Sequence, residues 1–118
     1  LVWSPLEGGW LTGKYRKGKP NPLDSPRAAK WVGDLGNPKF ARRIEVVEEL
    51  LALAEEKGTS LARFALAWTL RHPAVTSTIL GPRTPAQLDD ALAALDVTVT
   101  EEDAARVDAL VPPGTSAL

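Results

Sequence analysis

Only two short stretches of this chain can serve as strands, and that scarcity constrains its fold more than any other feature. Leu1-Val2-Trp3-Ser4-Pro5-Leu6 is β-branched and aromatic and is stopped by proline, which predicts a short buried strand ending at Ser4 or Pro5. The second, Val75 to Leu80, is apolar and β-branched and is closed by Gly81-Pro82. Four helical patterns surround them, and strand, loop, helices, strand, helix, helix is the order of βα units with helices outside a parallel sheet. Two parallel strands leave both sheet edges open and much of the helices' apolar faces uncovered. An exposed Leu or Val forfeits roughly 1.5 to 3 kcal/mol of burial, against total domain stabilities of about 5 to 15 kcal/mol. The chain is therefore expected to need more protein around it. It contains no methionine and opens inside an apolar run, which reads as a chain whose upstream part has been removed or omitted.

From Glu7 to Pro38 the chain is dense in Gly, Pro, Asn, Asp and Ser, and only Gly9 to Tyr15 can form one or two helical turns. A connection this long in a compact domain is usually functional or mobile. Beyond Pro38, Ile44, Val47, Leu51 and Ala54 form one helical stripe opposite a solvated face of Glu45, Glu48, Glu49, Glu55 and Glu56, with Gly58 as the stop. Thr59 or Ser60 caps a second helix with Leu61, Phe64, Ala65 and Trp68 on its core face, ended by Pro73. Thr84-x-x-Gln87 with Pro85 opens a third, whose Leu88, Ala91, Leu92 and Leu95 are expected to be buried. Thr100 caps a fourth, Glu101 to Val111, with Ala104, Val107 and Val111 inward.

Charged and apolar fractions of 25% and 44% place the chain among folded soluble proteins. A net charge of −1 gives no support for nucleic acid or membrane partners. The absence of cysteine and the single histidine, His72, leave little for a metal. Without an apolar run long enough to span a bilayer or a leader-like N-terminus, a cytoplasmic location is the default expectation.

Two loops follow the expected strands, and each could bring backbone amides to an anion. In the second, Gly81 permits close approach, the helix starting near Pro85 offers unpaired N–H groups, and Arg83 adds a guanidinium fork. The same residues also read as a plain turn and helix cap. The first loop, Ser4 to Tyr15, combines three glycines, two hydroxyls and Lys14, and can wrap a pyrophosphate or simply turn. Phosphate sites of (β/α)8 barrels are commonly built from the loops after the seventh and eighth strands and a nearby helix N-terminus.

The run Trp3-Ser4-Pro5-Leu6 with Gly9-x-Leu11-Thr12-Gly13-Lys14-Tyr15, and later Ile79-Leu80-Gly81-Pro82-Arg83-Thr84-Pro85-Ala86-Gln87-Leu88, resembles the C-terminal signatures of aldo-keto reductases. The resemblance extends through Ala65-Leu66-Ala67-Trp68 and Leu110-Val111-Pro112, over nearly the whole of residues 1–118. Within the family it points to the branch of bacterial general reductases and potassium-channel β subunits. It implies an α/β fold, the C-terminal part of a (β/α)8 TIM barrel, with about two parallel strands and four or more helices. It also implies NADPH as cofactor and an aldehyde or ketone as substrate. Trp3, Ser4, Pro5, Leu6, Glu7 and Gly8 would then lie along the nicotinamide and pyrophosphate, and Lys14 would meet a phosphate. Gly81 and Arg83 would hold the adenosine 2′-phosphate, Gln87 and Asp90 would sit at the adenine ribose and base, and Arg27 would be a further phosphate contact.

Two departures from the family pattern stand out. Ala91 occupies a position usually held by Asn, which removes a side-chain hydrogen bond to adenine. Glu7 replaces a small neutral residue, so its carboxylate repels a pyrophosphate unless it turns to solvent. The resemblance places the catalytic Asp, Tyr, Lys and His in the N-terminal half and centre of the barrel, and none of them falls in this chain. Tyr15 and His72 are read as structural, Trp31 as packing or substrate contact, and Trp10 as a candidate pocket wall beside a plain packing role. Three readings follow: the cofactor-holding part of a reductase that lacks its N-terminal barrel portion, an NADPH-binding sensor or auxiliary subunit, or a remnant assembling with another chain.

Overall fold

The computed structural model describes residues 1–22 and 28–117. Four α-helices, α1 (Ala41–Glu56), α2 (Leu61–Arg71), α3 (Pro85–Leu92) and α4 (Glu101–Leu110), form its body. Short 3-10 turns at Glu7–Thr12, Pro38–Phe40 and Ala93–Asp96 and a π-type turn at Ala28–Val32 complete it.

Three of the four helices begin where a side-chain oxygen takes an orphan amide, whereas α1 continues directly from the Pro38–Phe40 turn with no side-chain cap. Ser60 accepts from the Arg63 N–H at 3.2 Å, Thr84 from Gln87 at 3.2 Å, and Thr100 from Asp103 at 3.1 Å. The α1 helix ends on Gly58, whose φ of 68° is the left-handed conformation that glycine adopts without penalty. There the Thr59 N–H donates to the Ala54 carbonyl at 3.0 Å and the Gly58 N–H to Glu55 at 2.9 Å, so the last carbonyls are satisfied by a Schellman closure.

The core gathers where α1 and α2 meet the long loop. Tyr15, Val47, Leu53 and Phe64 are fully enclosed, with Trp10, Phe40, Ile44 and Leu61 packed around them. The expected α1 stripe is thus inward at Ile44, Val47 and Ala54, with Leu51 half-buried. Polar contacts fasten the loop to this core. Arg16 grips Glu48 with two bonds, at 2.9 and 3.0 Å, and the Lys17 N–H adds a third at 2.9 Å. The Arg16 guanidinium and the Lys17 amide hold the Glu48 carboxyl below its ordinary range against a smaller opposing effect of burial. The α4 helix is clasped by Arg106 on Glu56 at 2.6 Å and by Arg42 on the Leu110 carbonyl at 2.7 Å.

The two strand segments lie side by side and parallel, joined at a single bridge between Val2 and Thr78. The Val2 N–H donates to Ser77 at 3.0 Å and the Ile79 N–H to the Val2 carbonyl at 2.8 Å. No longer ladder forms among the described residues, as expected for two short strands with no neighbours on either side.

Three burial expectations need correction. The first strand segment is not buried: Leu1 and Trp3 are exposed and Val2 is half-buried, because its one described neighbour is the Thr78 segment. Trp68 is exposed rather than in the core face of α2, whose inward residues are Leu61, Phe64, Ala65, Leu66 and Ala67. Leu88, Leu92 and Leu95 are exposed as well, with Leu95 at 72%, and only Ala91 on that stripe is half-buried. Their periodicity is that of a buried face, but nothing among the described residues stands over it.

Candidate functional site

The parallel bridge has a geometric consequence. Both chains leave it in the same direction, so the loop after Val2 and the loop after Thr78 emerge at one end of the strand pair. The two candidate anion loops thus share one edge of the molecule.

The first loop is held in an uncommon backbone conformation. Ser4 and Glu7 have φ of 53° and 46°, followed by Gly8 at 64° and Gly9 at 103°. A non-glycine residue in this region costs roughly 1 to 2 kcal/mol, so two of them store strain where function was expected. Local bonds stabilise the turn: the Glu7 N–H donates to Ser4 and the Gly9 N–H to Leu6, both at 2.9 Å. These two amides are therefore engaged within the loop. Lys14 folds back over the turn with its ammonium 5.1 Å from the centre of the Tyr15 ring, and a Cβ on Gly9 would lie 3.2 Å from the Lys14 Cε. Trp3 is almost fully exposed, while Pro5 and Leu6 are half-buried.

Glu7 turns outward, its carboxylate 3.7 Å from the Arg43 guanidinium. Arg43 in turn lies over the Trp10 indole, 5.1 Å from the ring. Trp10 is a core residue and not a pocket wall: it is buried, with ring centroids 4.9 Å from Tyr15 and 5.2 Å from Phe40. Tyr15 is wholly enclosed, with its hydroxyl buried and unpartnered, so it cannot present that hydroxyl to a substrate. His72 takes a local role, its Nδ1 accepting from the Ala74 N–H at 3.1 Å.

The second loop is more open. Gly81 has no left-handed backbone, and a Cβ placed there would meet no described atom within 4 Å, so the chain itself supplies no steric reason for glycine. Among the described residues the exposed Arg83 guanidinium makes no ion pair, whereas its backbone N–H donates to Gln87 Oε1 at 2.7 Å. Gln87 therefore closes the capping box one residue further back than the usual pattern. Asp90 is held from α2: Arg63 Nε donates to its Oδ1 at 2.8 Å, and Nη2 lies 2.6 Å from the same oxygen. Sequence reasoning missed Arg63 and Arg43, because neither carries a motif and their partners are distant in sequence. Arg27 and the side chain of Trp31 lie outside the described residues.

The site is a surface and not an enclosure. Two open concavities, of about 250 and 540 Å³, are lined by residues such as Arg16, Lys19, Leu35 and Ile44 and by no residue of either loop. Among the described residues no group of His, Cys, Asp or Glu is arranged to hold a metal, and no helix is long and apolar enough to cross a membrane.

Comparison with known proteins gives a consistent result. The model of the aldo/keto reductase family matches residues 1–112. A protein of Oryza sativa subsp. japonica named "Probable voltage-gated potassium channel subunit beta" is 38% identical over 93% of the chain, which spans 34% of that protein. A Bacillus subtilis protein named as an uncharacterized oxidoreductase is 35% identical over 86% of the chain, which spans 28% of it. Among solved structures, the glycerol dehydrogenase of Gluconobacter oxydans superposes with a TM-score of 0.74 at 28% identity, covering 98% of this chain and 36% of its own. The chain thus spans about a third of the length of the relatives it matches.

Proposed function

Since the chain belongs to the aldo/keto reductase family, we propose that it is the cofactor-holding C-terminal part of an NADPH-dependent oxidoreductase that reduces aldehydes or ketones in the cytoplasm. The observation that carries this reading is the parallel Val2–Thr78 bridge, which delivers both anion loops to one edge of the strand pair. The second loop fits a phosphate. Arg83 offers an exposed guanidinium, Gly81 leaves its approach clear, and Thr84 opens a helix whose N-terminal end favours negative charge.

Arg83 and Gly81 would receive the 2′-phosphate, Gln87 and Asp90 the adenosine, and Lys14 the pyrophosphate, with Arg27 as a further phosphate contact. Ser4 to Gly8 would pass along the diphosphate and Trp3 along the nicotinamide. The Glu7 carboxylate, turned to Arg43, is partly compensated there, which lessens its repulsion of a pyrophosphate. When bound, the dinucleotide supplies the hydride. The groups that protonate the carbonyl belong to the remainder of the barrel, since Tyr15 is enclosed and His72 is engaged locally.

Arg83→Ala in the complete protein tests this assignment. A charge-assisted bond contributes about 1.5 to 3 kcal/mol, so the NADPH dissociation constant should rise roughly tenfold or more while that for NADH changes little. Equal losses for both cofactors would remove the 2′-phosphate site. The likeness to a potassium channel β subunit supports a second reading, an NADPH-binding sensor or auxiliary subunit. Turnover of aldehydes by the complete protein separates the two, since a sensor binds NADPH without oxidising it at a useful rate.

A further inference from the structure

Asp90 sits awkwardly for a phosphate site. It is one turn beyond Gln87 on α3, and its Cα lies about 7.5 Å along the helix axis from that of Pro85. A bare carboxylate there falls within about one Debye length of an anion bound at the helix N-terminus. It would oppose the phosphate that Arg83 and the helix dipole attract.

The structure supplies the compensation from another helix. Arg63 reaches from the first turn of α2 to Asp90, with Nε at 2.8 Å and Nη2 at 2.6 Å from Oδ1. Both contacts fall on one oxygen, so Oδ2 is not engaged by Arg63, and the pair is only partly buried. We propose that Arg63 is a positioning residue for cofactor choice, whose guanidinium neutralises Asp90 and keeps the α3 N-terminus receptive to a phosphorylated dinucleotide. This rests on the reading that Arg83 and the start of α3 take the 2′-phosphate. Arg63 itself touches no cofactor; it acts through Asp90. NADH carries no charge at that position, and the adenosine that Asp90 meets is common to both cofactors, so the charge of the pair is read in the ratio of their dissociation constants.

The test is made on the complete reductase, titrating NADPH and NADH by fluorescence at low and high salt and reading the ratio of their dissociation constants. Arg63→Gln should weaken NADPH roughly five- to tenfold, leave NADH within about twofold, and lose most of this difference in high salt. Arg63→Lys, which keeps the charge, should keep the preference. Arg63→Gln with Asp90→Asn should restore the ratio of the two dissociation constants, whatever the change at Asp90 costs both cofactors in common at the adenosine, because the uncompensated carboxylate has gone. Equal losses for both cofactors, or no restoration in the double variant, would overturn the proposal and leave Arg63 as a tie between α2 and α3. An unchanged ratio in Arg63→Gln would overturn it as well. The Arg83→Ala control separates the two levels: a preference that survives that change removes the phosphate reading itself, whereas its loss there with indifference at Arg63 removes only the present proposal.

Discussion

The Lys57 ammonium lies 2.6 Å from Oδ2 of Asp103, joining the end of α1 to the first turn of α4. The same oxygen accepts the Thr100 N–H at 2.8 Å, so one carboxylate both closes the capping box of α4 and docks that helix. Among the described residues Asp103 is the buried charged one, and it is tolerated there because these donors surround it. Lys57→Met removes one donor and leaves the carboxylate under-compensated. We expect a loss of about 1 to 3 kcal/mol at neutral pH, read by urea unfolding of the protein. An unchanged midpoint would show that Thr100 alone suffices.

Acid should act on the same pair with a definite sign. Burial by itself raises the Asp103 carboxyl, but Lys57 and the Thr100 amide and hydroxyl outweigh it and hold the group below its ordinary value. A carboxyl depressed in the folded state contributes stability that is fully present above its unfolded value, about 3.9, and is lost as pH falls through the folded value. Glu48 behaves likewise through Arg16 and Lys17. Unfolding midpoints should therefore be flat at mildly acidic pH and fall below about pH 4. In Lys57→Met the gap from the native protein should narrow over that range. A gap that widens on acidification would contradict the assignment.

Gly13 offers a steric test of how the first loop is seated. Its φ is 81°, and an added Cβ would lie 3.1 Å from the Leu51 Cδ2 on α1. Gly13→Ala therefore meets both an unfavourable backbone and a neighbour on the core helix. We expect a loss of about 1 to 3 kcal/mol, whereas the same change at Gly81 should leave folding within about 0.5 kcal/mol. Comparable losses at the two sites would mean that Gly81 has an internal role.

How much of this could be read from the residues depended on how local the cause was. Ser60, Thr84 and Thr100 cap helices through amides three residues away, so their pattern is complete within the sequence. The α1 stripe was legible because its neighbours, the long loop and α2, are present to cover it. Trp10 was ambiguous for the opposite reason: an aromatic beside a glycine turn suits a pocket or a core, and Phe40, thirty residues on, decides it. The Arg63–Asp90 pair was invisible, since charges at matching helix positions do not identify a partner on another helix. Trp68, Leu88, Leu92 and Leu95 show the limit most plainly. Periodicity states which face is apolar, and only the surrounding protein states whether it is covered.

That face yields the last prediction. Leu88, Leu92 and Leu95 stand exposed along α3 and the turn after it, and Ile79 and Trp68 are exposed as well. Single exposed leucines are ordinary, but an i, i+4, i+7 stripe is the pattern of a helix packed against something. Residues 1–118 prepared alone should therefore bind a hydrophobic dye and self-associate. Leu92→Lys with Leu95→Glu should weaken both while leaving helix content intact, because neither side chain supports the described core. Placed in a complete barrel, the same pair of changes should be strongly destabilising, since each replaces about 1.5 to 3 kcal/mol of burial with a charge. Tolerance in both settings would mean that the stripe faces water in the assembled protein too, and that α3 is held in place by its cap and the Arg63–Asp90 pair.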